Sequence, residues 1–239
     1  MVTTRCPRVA VAALTIALFI ALPASPAPAD LKGFPFADET LNYAVNWPSG
    51  LSLGEVKLRA VHSGANWRFT MTVDAGVPGF AVKDTYTSSA TADLCSATFE
   101  RDTRHGSRSG RELETVDAAT GTVKRATVGG GESSLTVPAC VRDALALLYF
   151  ARRELGQGKV PPPQRFLFGG LYEMRMDYGG AQKIQVGDQL NDADKVTCTV
   201  KGPSSEIQFE AFYARDAART PLVIRVPLAN ARFSMELVR

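Results

Sequence analysis

The sequence predicts a mainly β fold: a curved antiparallel meander forming a barrel-like or half-barrel sheet with one central α-helix, Ala139 to Leu155. Three observations predict it. Short segments along most of the chain alternate apolar and polar residues, which puts one strand face on a core and the other in water. Glycine, proline and aspartate separate those segments at spacings too short for parallel crossovers. Only one stretch carries helical periodicity.

In chain order, the first element is an export signal. Arg5 and Arg8 make a positive n-region, Val9 to Leu22 an apolar h-region, and Ala27-Pro28-Ala29 a small-x-small cleavage site. The apolar run is shorter than the roughly 20 residues that cross a bilayer, and Cys6 precedes it instead of following it as a lipidation cysteine would. Cleavage after Ala29, a soluble mature chain and a periplasmic or secreted location are the expectation, and no later segment is long and apolar enough to span a membrane.

Leu41, Tyr43, Val45 and Trp47 share a face of the first mature strand, Val56, Leu58 and Ala60 of the second, and Trp67, Phe69, Met71 and Val73 of the third. Ser96 to Arg104 and Arg111 to Asp117 read as a hairpin around His105 to Gly110, and Thr122 to Val128 follows. The helix then carries Val141, Leu145, Leu148 and the stem of Arg152 on one stripe, widened by Ala144, Leu147 and Ala151, and ends at Gly156 and Gly158. Alternation resumes with Tyr172, Met174, Met176 and Tyr178, a turn at Gly179-Gly180, and Ile184 with Val186. It continues through Val196, Cys198 and Val200, then Ile207, Phe209, Ala211 and Tyr213, and ends with Leu222 to Val226 and Phe233 to Leu237. This is a second meander within a single domain, residues 30–239.

Composition narrows the function classes. Of 239 residues, 210 remain after cleavage, and losing Arg5 and Arg8 takes the formal charge from +3 to +1. Nucleic-acid binding then has no electrostatic basis. Of the three remaining cysteines, Cys198 alternates onto an apolar face beside Val196 and Val200, as a buried free thiol would, whereas Cys95 and Cys140 stand at the starts of a strand and the helix. A Cys95–Cys140 disulfide is the expected pairing. With no Cys-x-x-Cys pair and no ligand spacing around His62 or His105, neither a metal site nor a cofactor is expected.

Glu39 to Trp47 followed by Gly50 and Gly54, the helix ending Tyr149 to Arg152, and Tyr213 to Leu222 with Asp216, Arg219 and Pro221 resemble stretches of the bacterial domain-of-unknown-function 3108 family. That resemblance implies a β-rich, barrel-like envelope protein and assigns no reaction or ligand.

Candidate chemistry is sparse. Gly50-Leu51-Ser52-Leu53-Gly54 fits a nucleophile elbow, but the residues after it alternate as a strand where an elbow needs a helix, so a hairpin is the better reading. Asp188, Asp192 and Asp194 lack the glycine and closing glutamate of a calcium loop. His62 reads as a satisfied inward residue and His105 as an exposed one. Arg101, Arg104, Arg108 and Arg111 gather on one hairpin and form the candidate ligand-binding set, suited to phosphate or carboxylate groups; a solvated hairpin neutralised by Glu100, Asp102, Glu112 and Glu114 is the competing reading. The strand faces are rich in Trp, Tyr, Phe and Met, among them Trp47, Trp67, Phe69, Tyr172, Met174, Met176 and Phe209. Lining an open barrel, they suit a lipid or glycolipid whose anionic head meets those arginines. A non-enzymatic envelope protein for binding, carriage or assembly is the leading expectation. A hydrolase of envelope material and a structural partner subunit are the alternatives, and the sequence leaves oligomeric state open.

Overall fold

The computed structural model describes Met1, residues 38–228 and residues 231–238. Apart from Met1, the secretory segment read from residues 1–29 lies outside the described residues. All other described residues fall in the second of two compact units, Met1–Asp30 and Leu31–Arg239.

Period-two alternation generates eight consecutive strands in the first half: β1 (Glu39–Asn46), β2 (Ser52–Ser63), β3 (Asn66–Val77), β4 (Phe80–Ala90), β5 (Ser96–His105), β6 (Arg108–Asp117), β7 (Thr122–Thr127) and β8 (Glu132–Thr136). The second half holds β9 (Arg142–Asp143), the helix α1 (Ala144–Gly156), β10 (Gln164–Leu167), β11 (Leu171–Val186), β12 (Gln189–Lys201), β13 (Glu206–Ala214), β14 (Pro221–Leu228) and β15 (Ala231–Val238). All fifteen strands join one sheet with edges at β8 and β9. Neighbours are consecutive in sequence except at one seam, where β1 pairs antiparallel with β15, Tyr43 opposite Leu237 and Val45 opposite Met235. β9 and β10 alone run parallel. The expected fold class is what the structure shows: mainly β, antiparallel meanders, one helix.

The inner face of this curved sheet carries Tyr43, Val56, Leu58, Ala60, Trp67, Phe69, Tyr86, Phe99, Met176, Val196, Cys198 and Ala211, which share one core with α1. Tyr149 on α1 stacks on Phe69 with ring centroids 4.2 Å apart. The helix is buried on most sides, including all of Arg152, so the expected single apolar stripe understates its contact with the sheet. Burying each large side chain of this kind stabilises by about 1.5–3 kcal/mol.

Three sequence expectations need correction. The helix begins at Ala144, not Ala139. Cys140 has a left-handed φ of 55°, and Asp143 is the cap, its carboxylate accepting from the N–H groups of Leu145 (2.9 Å) and Ala146 (3.0 Å). The segment before it is spent on extended pairing, with the Ser96 N–H donating to the Val141 carbonyl at 2.9 Å. Secondly, Gly179-Gly180 is no turn. β11 runs unbroken through a bulge there, which lets Ile184 and Val186 pack on Phe212, Leu222 and Val223 in a second, smaller core. Thirdly, β4, β8 and β10 are strands where the sequence pattern predicts none, and the arginine hairpin turns at Gly106-Ser107 alone, with β6 already begun at Arg108.

The disulfide Cys95–Cys140 is present, and Cys198 is free and buried. Burial pushes the Cys198 thiol up to about 12, so it is a packing residue and not a nucleophile.

Candidate functional site

Moving along the inner face away from α1, each strand offers its next inward residue without a helix to cover it. β1 places Tyr43 in the core and then Val45. β2 places Leu58, then Val56 and Leu53. β3 places Phe69, then Met71, Val73, Ala75 and Val77, and β4 places Tyr86, then Val82 and Phe80. Across the seam, Ile224 and Val226 of β14 with Phe233 and Met235 of β15 complete the wall. The result is an open cavity of about 480 Å³ whose lining is apolar apart from Ser234, formed where the barrel outruns its helix. Gly54 keeps this wall tight. It has φ 144°, and a Cβ there would lie 2.1 Å from the Asp74 carbonyl oxygen, so β2 and β3 approach as closely as only glycine permits.

Beyond Val82 the inner face turns polar. Val82 lies opposite His105, Asp84 opposite Thr103, and Tyr86 opposite Arg101. Asp84 is buried and accepts from the Tyr86 hydroxyl at 2.9 Å, while the His105 Nε2 lies 3.0 Å from it. Arg101 donates to Glu112 at 2.8 Å, and Arg125 pairs with the same carboxylate. Burial pushes Glu112 up, but Arg125 and Arg101 outweigh it and hold the carboxyl below its ordinary range. The Arg101 guanidinium also lies 4.9 Å from the Phe168 ring centre, under Gly169; with φ 72° and no room for a Cβ beside that guanidinium, Gly169 is what admits it.

Glu114 is the odd member of this wall. Burial raises its carboxyl to about 7, with the Gly169 N–H pulling down and the Glu112 charge pushing up. Between the ordinary glutamate value near 4.5 and about 7, the unfolded chain has released this proton while the folded chain keeps it. Stability therefore falls as pH rises through that window. A series of thermal melts from pH 4.5 to 8 should show Glu114→Gln losing this component of the decline; an unchanged slope would place Glu114 in water.

The structure divides the four arginines of the hairpin. Residues directly opposite share a face and successive residues alternate, so Arg101 and Arg108 lie on the inner face and Arg104 and Arg111 on the outer. Arg111 pairs with Glu100, and Arg104 and Arg108 are exposed. His62 is half-exposed, bonds Asp38 at 3.1 Å and stacks on Trp67. His105, expected to be exposed, is so over about half of its side chain and also engages Asp84. Ser52 is exposed at the start of β2, with a strand after it. Asp192 pairs with Lys183, and Asp194 accepts from Tyr178 and Arg219. Trp47, expected on the interior face, sits 38% exposed at the cavity's rim with its ring edge-on to Phe233. Among the described residues no cluster of His, Cys, Asp and Glu is disposed to hold a metal ion. Among the described residues no helix is long and apolar enough to cross a membrane.

At the opposite end, the stretches that carry the family resemblance meet. Arg152 donates to Glu39 and, at 3.1 Å, to the Ala218 carbonyl, while the Tyr43 hydroxyl donates to the Pro221 carbonyl at 2.9 Å. Asp216 accepts from both the N–H and the hydroxyl of Thr220, shaping the turn before β14. This buried cluster locks helix, first strand and closing hairpin together, and its role is structural.

A protein-family model described as "Protein of unknown function (DUF3108)" matches residues 42–238. No curated protein matches the chain. Among solved structures, the chain is similar to a β-barrel-like protein of domain of unknown function DUF1849 from Brucella abortus. The TM-score is 0.61 at 10% identity, covering 85% of this chain and 97% of that one, a likeness of fold.

Proposed function

Since this chain belongs to the DUF3108 family, whose description names no activity, we propose from its geometry that it is a non-enzymatic periplasmic carrier of a lipid or glycolipid. The observation that carries this reading is the open apolar cavity of about 480 Å³, a volume within the roughly 300–1,000 Å³ usual for small-molecule sites. A cavity lined this way holds hydrocarbon and gives a polar substrate nothing to bind. The polar wall beside it, with Arg101, His105 and the inward Arg108, is where an anionic head would be met. The export signal expected from Arg5 to Ala29 supports this reading, because it would deliver the protein to where such molecules are abundant. The hydrogen bonds of His62 and His105 go to carboxylates, Asp38 and Asp84, which serves the strand ends and the polar wall.

Titration with cis-parinaric acid, a fluorescent fatty acid, tests this. Val73→Trp fills the cavity from β3 and is expected to weaken binding about tenfold or more, with the fold kept. Binding unchanged by Val73→Trp, or no binding by the wild type, would remove the carriage reading.

A further inference from the structure

The cavity's mouth is an edge of the molecule built from hairpin tips. Because neighbouring strands alternate in direction, the turns after β1, β3 and β5 stand side by side on one edge of the sheet. The first two expose large apolar side chains where a soluble surface has no use for them: Trp47 38%, Leu51 64%, Val77 48% and Phe80 50% exposed. Val77 and Phe80 line the cavity, Trp47 leans on Phe233 of its wall, and Leu51 leads into Leu53 of its wall. Scattered apolar residues on a surface need no explanation, but four around a single apolar opening form a patch that water penalises.

The third tip supplies charge of one sign. The Gly106 N–H donates to the Ala81 carbonyl at 2.8 Å, and a Cβ there would lie 3.4 Å from the Phe80 ring, so the β5–β6 turn abuts the apolar tips and brings the exposed Arg104 and Arg108 with it. Neither arginine has a salt bridge among the described residues. Of the nearby acids, Asp74 is paired with Lys83 at 3.1 Å, Asp84 bonds His105 and Glu100 pairs with Arg111. Asp102 alone stands on the outer face beside Arg104, which leaves Arg108 and the turn net basic. Apolar tips next to unneutralised guanidinium groups match the cross-section of an anionic bilayer surface, hydrocarbon below and phosphate above. A protein partner would have to offer both a greasy socket and flanking acids to fit as well.

We propose that this edge docks on anionic membrane: Trp47, Leu51, Val77 and Phe80 enter the interfacial layer, while Arg104 and Arg108 engage lipid phosphates, with the cavity opening onto the bilayer. The inference deepens the carriage reading by naming where the cargo is exchanged. Its test is independent of cargo binding.

Purified mature protein is co-sedimented with vesicles of phosphatidylethanolamine and phosphatidylglycerol in equal parts, and with pure phosphatidylcholine. The wild type should prefer the anionic vesicles. Trp47→Ser with Leu51→Asp, and separately Arg104→Glu with Arg108→Glu, should each weaken that binding about tenfold or more. Both pairs are at exposed positions off the apolar lining. Melting temperature is the fold control for both, and parinaric acid affinity for the Trp47/Leu51 pair alone, since Arg108 also belongs to the wall that meets an anionic head. A readout without mutation is quenching of tryptophan emission by brominated phosphatidylglycerol, which should reach Trp47 and spare the buried Trp67. Docking is overturned if the wild type ignores both vesicles, if binding persists in both variant pairs, or if the tips instead drive self-association in sedimentation velocity. Vesicle binding that depends on the tips, without any parinaric acid binding, would keep docking and remove carriage; the reverse would remove docking alone.

Discussion

Replacing Cys95 and Cys140 together by serine should cost about 4 kcal/mol, the chain-entropy value for a crosslink between residues 45 apart. That is a large share of the 5–15 kcal/mol by which domains are typically stable. The bridge ties the turn between β4 and β5 to the left-handed residue just ahead of α1, so it anchors the helix that packs on the inner face. Urea denaturation of the oxidised protein, the double variant and the reduced wild type checks this. The latter two should coincide well below the first, while Cys198→Ser, altering a small buried group, should shift the midpoint much less. Equal midpoints for oxidised and reduced protein would show that packing alone holds the turn.

A loss of similar size is expected at the other end of the helix. Arg152→Ala removes a fully buried guanidinium, leaves Glu39 without its cation and the Ala218 carbonyl without its donor, and opens space between Tyr43 and Tyr149. Breaking a buried ion pair in this way costs about 3–5 kcal/mol. Arg152→Lys should recover only part, since an ammonium cannot span a carboxylate and a carbonyl in one plane. Thermal melts of the three proteins rank them. A lysine variant as stable as wild type would mean that charge alone, and not the planar fork, is required.

Much of this fold is legible in sequence because most inner-face residues are apolar, and period two then shows directly, as in Tyr43-Val45 or Val196-Cys198-Val200. β4 escaped because its inward residues past Val82 include Asp84 and Ser88, which read as solvent-facing although both are buried. The periodicity alone puts the helix start too early because Val141 sits in helical register with Leu145 and Leu148, while the aspartate at 143, a recognisable N-cap before Ala144-Leu145, carries the correct signal. The arginine hairpin contained its own arithmetic. Arg101 and Arg104 are three apart, as are Arg108 and Arg111, and odd spacing on a strand sends them to opposite faces. The cavity was not legible, because it depends on where along the strands the helix comes to rest, which is settled by Asp143, Arg152 and the disulfide acting together. Nothing in the local pattern separates Met71, over the opening, from Phe69, under the helix.

The pairing of β1 with β15 carries a consequence for how the molecule comes into being. Each half of the sheet can grow hairpin by hairpin from local contacts, but the only strand ladder between the two halves is where residues 42–46 meet residues 234–238. That contact has nearly the largest separation the chain allows, and such closures are slow because loop entropy is lost before anything is gained. Until it forms, β1 and β15 are bare edges in what will be the middle of the sheet, open to pairing with other chains. A polypeptide halted before Ala231 would keep its hairpins and lack its keystone, so aggregation of such fragments, and not simple loss of a terminal strand, is what truncation should produce.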